Sequence, residues 1–175
     1  QTVYLSDDGS VYTPPTDPEP VTPTEPYVPS LDELKAAKKR KISAACEAAI
    51  YAGVDVKLSD GSAEHFSLTE HDQLNLFGKQ VQLASGATEL EYHADGQPCR
   101  YYTAEDMRTI TSTAMAYVSY HTTYCNALNM WIYGASNETE LGKIAYGADV
   151  PEEYQSEVFK SYLSAGGEAI EKASK

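Results

Sequence analysis

The chain has 175 residues, 13 basic and 26 acidic, for a formal charge of −13. Such acidity argues against a nucleic-acid partner, because affinity for the phosphate backbone rests on Lys and Arg, and no apolar run approaches the roughly 18–20 residues of a membrane span. The length suits one domain of ordinary size, with room for a core and an appendage. No secretory leader pattern opens the chain. Position 1 is Gln1, which leaves room for a longer parent product. The three cysteines, Cys46, Cys99 and Cys125, are odd in number and widely spaced. They read as reduced thiols made in a cytosol and packed as small hydrophobes, not as a disulfide framework or a paired zinc motif.

Residues 1–13 hold two short β-prone runs, Thr2-Val3-Tyr4-Leu5-Ser6 and Val11-Tyr12-Thr13, around Asp8-Gly9. This is a hairpin signal. An isolated hairpin is marginal in water, so it needs its own domain, another copy or a partner to dock on. Seven of the nine prolines follow between Pro14 and Pro29, with acids among them. That composition favours extended polyproline II, and at about 3.1 Å per residue the stretch 14–29 reaches roughly 50 Å. A docking arm on a semi-rigid tether and a loose acidic tail are the two readings.

The folded part is expected over residues 30–165. Ser30-Leu31-Asp32-Glu33 spells a capping box, and Leu31, Leu34, Ile42, Ala45, Cys46, Ala49 and Ile50 keep helical spacing, with the stem of Lys38 filling a gap. Gly53 is a natural stop, giving a first helix over 31–52. Val54–Leu58 and His65–Leu68 flank Asp60-Gly61 as a hairpin. Thr69 then caps a second helix with an expected core stripe of Leu74, Phe77, Val81 and Ala84, ending at Gly86. The pattern recurs, by duplication or as a coincidence of two common parts: Leu90–His93 and Cys99–Tyr102 flank Asp95-Gly96, and Thr103 caps a third helix running to Gly134. Its stripe is Met107, Ile110, Ala114, Val118, His121, Cys125, Leu128 and Ile132, long enough for a domain spine or an oligomer seam. Asn137 caps a short turn with Leu141 and Ile144, and Pro151 suits the first position of a last helix holding Tyr154, Val158, Phe159, Tyr162 and Leu163. Residues 166–175 should fray. The expected class is α+β, helices packed with two small hairpins in the order α-ββ-α-ββ-α-α.

Motifs that carry chemistry are weak. His93, Cys99, His121 and Cys125 superficially imitate a ββα zinc site, but His121 lies about 27 Å along the helix from Thr103, whereas Cys99 is held within roughly 14 Å of its start. A Cys125–His121 nucleophile pair would sit on the apolar stripe, where thiols are inert. No phosphate-binding glycine loop or nucleophile elbow is present. The expectation is therefore no enzyme, no metal and no cofactor. Lys38-Lys39-Arg40-Lys41 is the only basic cluster, read as a solvated girdle or as a contact with an acidic neighbouring subunit. Tyrosines are in excess, and Tyr117, Tyr120 and Tyr124 form a second face on helix three. Both core-edge packing and an interface suit them. With Val3, Tyr4, Leu5, Val11 and Tyr12 of the arm they make up the candidate partner-binding residues.

Several strings together resemble a known family. They are Leu31-Asp32-Glu33-Leu34-Lys35 through Ile42-Ser43-Ala44-Ala45-Cys46, His65-Phe66-Ser67-Leu68-Thr69 with Asp72-Gln73, and Tyr92-His93-Ala94-Asp95-Gly96 with Cys99-Arg100. Tyr120-His121-Thr122-Thr123-Tyr124-Cys125-Asn126 before Trp131-Ile132 completes the set. Over residues 31–165 the chain is similar to an uncharacterised domain family of tail-region proteins in phages and prophages, many from Gram-positive gut bacteria. The resemblance implies no catalytic residues. It implies a non-enzymatic structural component of a tail tip, baseplate or tail fibre, made in the host bacterial cytoplasm and carried in the virion. Its partners would be other tail, baseplate or fibre proteins, or further copies of itself, with the arm docking on a neighbour. A tail-fibre assembly chaperone and an adhesin for the host cell surface are the alternatives.

Overall fold

The computed structural model describes residues 7–9 and 26–165. The expected arm and linker otherwise lie outside the described residues, as does the expected fraying tail at 166–175. Asp7–Gly9 form a turn, with Gly9 at φ +81°, and residues 26–30 run exposed into the first helix.

Helix α1 spans Leu31–Ala52. Its start follows from the capping box: the Ser30 hydroxyl accepts from the Glu33 amide at 3.3 Å, and the Ser30 amide donates to Glu33 Oε2 at 2.8 Å. The Tyr27 hydroxyl donates to the same carboxylate. Ile42, Cys46 and Ile50 turn inward. The helix stops at Gly53, where φ is +85° and a Cβ would stand 2.1 Å from the Phe66 carbonyl oxygen.

Two hairpin–helix units follow. Strands β1 (Val54–Lys57) and β2 (Ala63–Phe66) pair antiparallel with Val54 opposite Phe66 and Lys57 opposite Ala63. Strands β3 (Glu89–Tyr92) and β4 (Arg100–Thr103) pair with Glu89 opposite Thr103 and Tyr92 opposite Arg100. Each buries one face: Val54, Val56 and Phe66 in the first, Leu90, Tyr92 and Tyr102 in the second. Phe66 joins them, its ring 6.1 Å from both Tyr92 and Tyr102. Thr69 with Asp72 forms a second capping box, and at α3 the Thr103 hydroxyl accepts from the Asp106 amide.

Helix α3 (Ala104–Gly134) is the axis of the molecule. Helix α1 lies antiparallel along it. Cys46 Sγ donates to the His121 carbonyl at 3.4 Å, the Tyr117 hydroxyl to the Ala49 carbonyl at 3.1 Å, and Lys35 Nζ to the Tyr133 carbonyl at 2.9 Å. Lys38 does more than fill a gap, since its Nζ donates to the Ile144 carbonyl at 2.9 Å. Helix α4 (Glu138–Lys143) is capped by Asn137. Pro151 does not open the last helix. It precedes a single 3-10 turn, Glu152–Tyr154, and helix α5 (Glu157–Ser164) starts instead at Ser156, whose hydroxyl accepts from the Phe159 amide at 3.1 Å. The two-residue break frees Tyr154 to stack on Trp131, with ring centroids 6.4 Å apart. Gly134 leaves room for it, since a Cβ there would come within 2.6 Å of the Tyr154 ring.

Helix α2 (Glu70–Ala84) differs from expectation in its facing. The residues directed inward are Leu76 and Leu83, and the expected core row points to solvent: Leu74 is 68% exposed, Phe77 57% and Val81 51%. The helix carries an apolar row on each of two opposite sides. The Thr69–Asp72 cap bonds start the helix directly after Leu68, which is itself buried in the core.

Candidate functional site

Three places concentrate side chains beyond what a core requires. The first is a cleft of about 440 Å³ between α3, the 146–150 loop and α5. Its floor is the tyrosine face of α3. Tyr120 and Tyr124 stack with centroids 6.3 Å apart and planes within 8°, and Phe159 packs 5.7 Å from Tyr124. The Tyr124 hydroxyl donates to the Ala148 carbonyl at 2.7 Å and accepts from the Gly147 amide at 2.9 Å, so both its functions hold the loop. Tyr146 stacks on His121 and its hydroxyl donates to His121 Nδ1. Burial lowers the His121 pKa and raises that of Tyr146. A neutral imidazole accepting from a neutral phenol satisfies both shifts.

The candidate tyrosines therefore separate. Tyr117 and Tyr124 are 4% and 8% exposed and spend their hydroxyls on backbone carbonyls, so they build the domain and offer little surface, Tyr124 only at the cleft floor. Tyr120 alone of the three is half-buried, at the cleft wall beside Tyr162. Val3, Tyr4, Leu5, Val11 and Tyr12 lie outside the described residues.

The second place is the polar seam between the hairpins. His65 Nδ1 is 2.7 Å from Asp55 Oδ1, and its Nε2 is 2.7 Å from the Ala52 carbonyl. Two acceptors require two N–H groups, which is the imidazolium. Partial burial opposes that charge, but the Asp55 carboxylate and the Ala52 carbonyl outweigh it and the pKa is raised. Asp95 accepts from the Ser67 amide at 3.1 Å and from the Ser67 hydroxyl. The serine thus bonds a carboxylate and not the imidazole, unlike a nucleophile–base pair. Across the seam Glu64 takes Arg100 at 2.7 Å and the Tyr102 hydroxyl at 2.6 Å, and the guanidinium lies 4.1 Å from the Tyr102 ring centroid. Asp95 with Ser67, and Glu64 with Arg100 and Tyr102, clamp one hairpin to the other, whereas His65 ties β2 to β1 and to the end of α1.

The cysteines and histidines of the imitation zinc site are dispersed. Cys99 and His93 are exposed and Cys125 is buried. Among the described residues no three His, Cys, Asp or Glu side chains gather to hold a metal ion. Burial, with Cys125 beside it, pushes the Cys46 thiol up to about 12, so it stays protonated.

The third place is the outward row of α2, Leu74, Phe77 and Val81, with Gly78 among them. Sequence periodicity detects the row and assigns it to the core. A glycine in the middle of a supposed core stripe is the one signal against that assignment.

Residues 33–148 match the family described as Domain of unknown function (DUF4376). The chain belongs to the DUF4376 family. The match runs from the first turn of α1 through the loop that Tyr124 holds, and it includes both hairpins, the seam and all of α2. The 3-10 turn and α5, which supply Phe159 and Leu163 to the cleft, lie beyond it. The DUF4376 domain therefore carries the α2 row and only part of the tyrosine cleft. No curated protein and no solved structure matches the chain.

Proposed function

We propose that this chain is a non-enzymatic structural component of a phage or prophage-derived tail, in the tip, baseplate or fibre, docking onto neighbouring tail proteins. One structural observation carries the interaction role: three large apolar side chains stand in a row on the outside of a rigid, capped helix inside the DUF4376 match. A contiguous exposed apolar row is a common form of protein–protein contact, whereas the other exposed apolar side chains, such as Tyr101 and Val158, lie on different elements. The tail assignment rests on the resemblance of the α1, hairpin and α3 strings to tail-region proteins. The polar groups at the seam and in the cleft are spent on holding loops and hairpins together, which favours a scaffold over a catalyst. On this reading the chain is made in the bacterial cytoplasm and ends in the virion.

Quantitative mass spectrometry of purified particles tests it. The expected result is a fixed integer copy number per tail, with Phe77→Glu lowering incorporation while the free domain keeps its fold by circular dichroism. Absence of the chain from particles refutes a structural role. If fibre proteins then also require the chain for solubility during co-expression, the assembly-chaperone reading replaces it.

A further inference from the structure

Five of the chain's 13 basic residues, Lys35, Lys38, Lys39, Arg40 and Lys41, fall within about two turns of α1. Among the described residues none of them forms an ion pair with a carboxylate, on a chain that carries 26 acids. Lys35 and Lys38 each donate to one backbone carbonyl. An ammonium has three donors, so both keep their charge and further N–H groups. Two grooves flank this cluster. One, of about 350 Å³ against α4, has Glu138 in its wall, and that carboxylate opposes an acidic occupant. The other, of about 360 Å³, runs between α1 and the C-terminal half of α3. Lys35 and Lys39 line it from α1, Met130 and Tyr133 line it from α3, and no carboxylate is among its walls. Met130 and Tyr133 are 50% and 81% exposed. The lining also includes Asn129, whose buried Oδ1 meets no donor among the described residues. A buried acceptor without a donor is costly, so this groove lacks an N–H group as well as a negative charge.

The chain itself carries a segment with both. Residues 1–30 hold five acids and no base, and Asp17, Glu19 and Glu25 of these lie in the proline-rich stretch. A polyproline II backbone spends no N–H groups internally, and its prolines suit exposed aromatic side chains. Connectivity brings this segment to the groove. The Tyr27 hydroxyl donates to Glu33, which holds residue 27 to the first turn of α1, just before Lys35. Lys35 in turn donates to the Tyr133 carbonyl, so the segment arrives at the Tyr133 end. From Tyr133 to Asn126 the groove is about 10 Å long, a span that about four residues cover at roughly 3.1 Å each. So short a tether gives the segment an effective concentration on the order of millimolar, ahead of a second copy or a foreign acidic peptide. We infer that residues 14–25 dock in cis in the groove between α1 and α3, carboxylates against Lys35 and Lys39 and prolines against Met130 and Tyr133. Nothing in this contact depends on the tail reading. A more acidic ligand that takes the groove releases the segment.

Paramagnetic broadening in the full chain tests it. A nitroxide is attached at Thr16→Cys in a Cys99→Ser background, Cys46 and Cys125 being buried. At about 50 mM salt the amide signals of residues 126–133 should broaden while those of α2 keep their intensity, and the effect should be lost at about 500 mM. Lys35→Glu with Lys39→Glu should abolish the broadening. Adding Asp17→Lys and Glu19→Lys to that chain should restore it, which shows that the charge-reversed domain still folds. Isotope-labelled chain without the nitroxide is then mixed with unlabelled chain that carries it. The same signals should keep their intensity in this mixture. Broadening there assigns the groove to a second copy and overturns docking in cis. So does the absence of selective broadening at low salt, its survival in the Lys35→Glu, Lys39→Glu chain, or its loss there without rescue.

Discussion

Single residues set the tightest constraints on this fold. Gly53 ends α1 in a left-handed conformation and lies against the backbone of β2, so a side chain there meets a conformational penalty and a carbonyl oxygen together. Gly53→Ala is expected to cost at least about 2 kcal/mol, read from urea midpoints at unchanged m-value. His65 and His121 sit in opposite electrostatic settings. The folded pKa of His65 is raised above its ordinary 6.5, so its contribution is complete below about that pH and disappears as pH rises through the folded value. His121 is lowered from the same 6.5, so its contribution is complete above that pH and is lost as pH falls through its depressed value. From these two groups, stability should peak near pH 6.5 and decline on both sides. His65→Asn should flatten the alkaline decline and leave the acid side in place. The half-exposed His65 pair limits its share to below about 1 kcal/mol. A stability-against-pH series that His65→Asn leaves unchanged on the alkaline side would contradict the assigned imidazolium.

At the scale of elements, the parts written in local code were legible. The bounds of α1 and α3 follow from Ser30, Gly53 and Thr103, because caps and stops are short-range chemistry. The facing of α2 was not legible. Leu76 with Leu83 and Leu74 with Phe77 and Val81 are both acceptable apolar rows, and periodicity says that a helix is amphipathic without saying which row meets the core. For the tyrosines of α3 the sequence left core-edge packing and an interface both open, for a related reason. A helix contacted by α1, α2, both hairpins and α5 is buried on most sides, so Tyr117 and Tyr124 are core although they stand off the apolar stripe. Tyr146 as a cleft wall had no sequence signal, since a loop brings it to His121 from 25 residues away. The α2 reading is itself testable. Gly78→Ala should raise monomer stability by up to about 1 kcal/mol by helix propensity alone. A loss in thermal melts at low concentration would show that something in the chain packs on that face.

At the scale of the whole molecule, charge and apolar contact act against each other. The net −13 pushes copies of the chain apart over a distance set by ionic strength, whereas apolar contact is insensitive to it. Self-association should therefore tighten as salt rises from about 50 to 500 mM. An association built on the Lys38–Lys41 girdle and acidic neighbours would weaken over the same range. Sedimentation at the two salt concentrations separates these cases by the sign of the change.

Among the described residues all five α-helices begin on a side-chain cap, Ser30, Thr69, Thr103, Asn137 and Ser156, yet only α4 has a basic residue in its last turn. For α3 the front end is held twice, because the Ser59 amide in the first hairpin loop also donates to Asp106 at 2.8 Å. Helices α2 and α5 are in effect rods nailed at the front and loose at the rear, whereas the last turns of α1 and α3 are held from outside by His65 on the Ala52 carbonyl and Lys35 on the Tyr133 carbonyl. Amide hydrogen exchange should therefore run as a directional wave in α2 and α5, entering from their C-terminal turns and reaching the capped ends last, and should lack that polarity in α1 and α3.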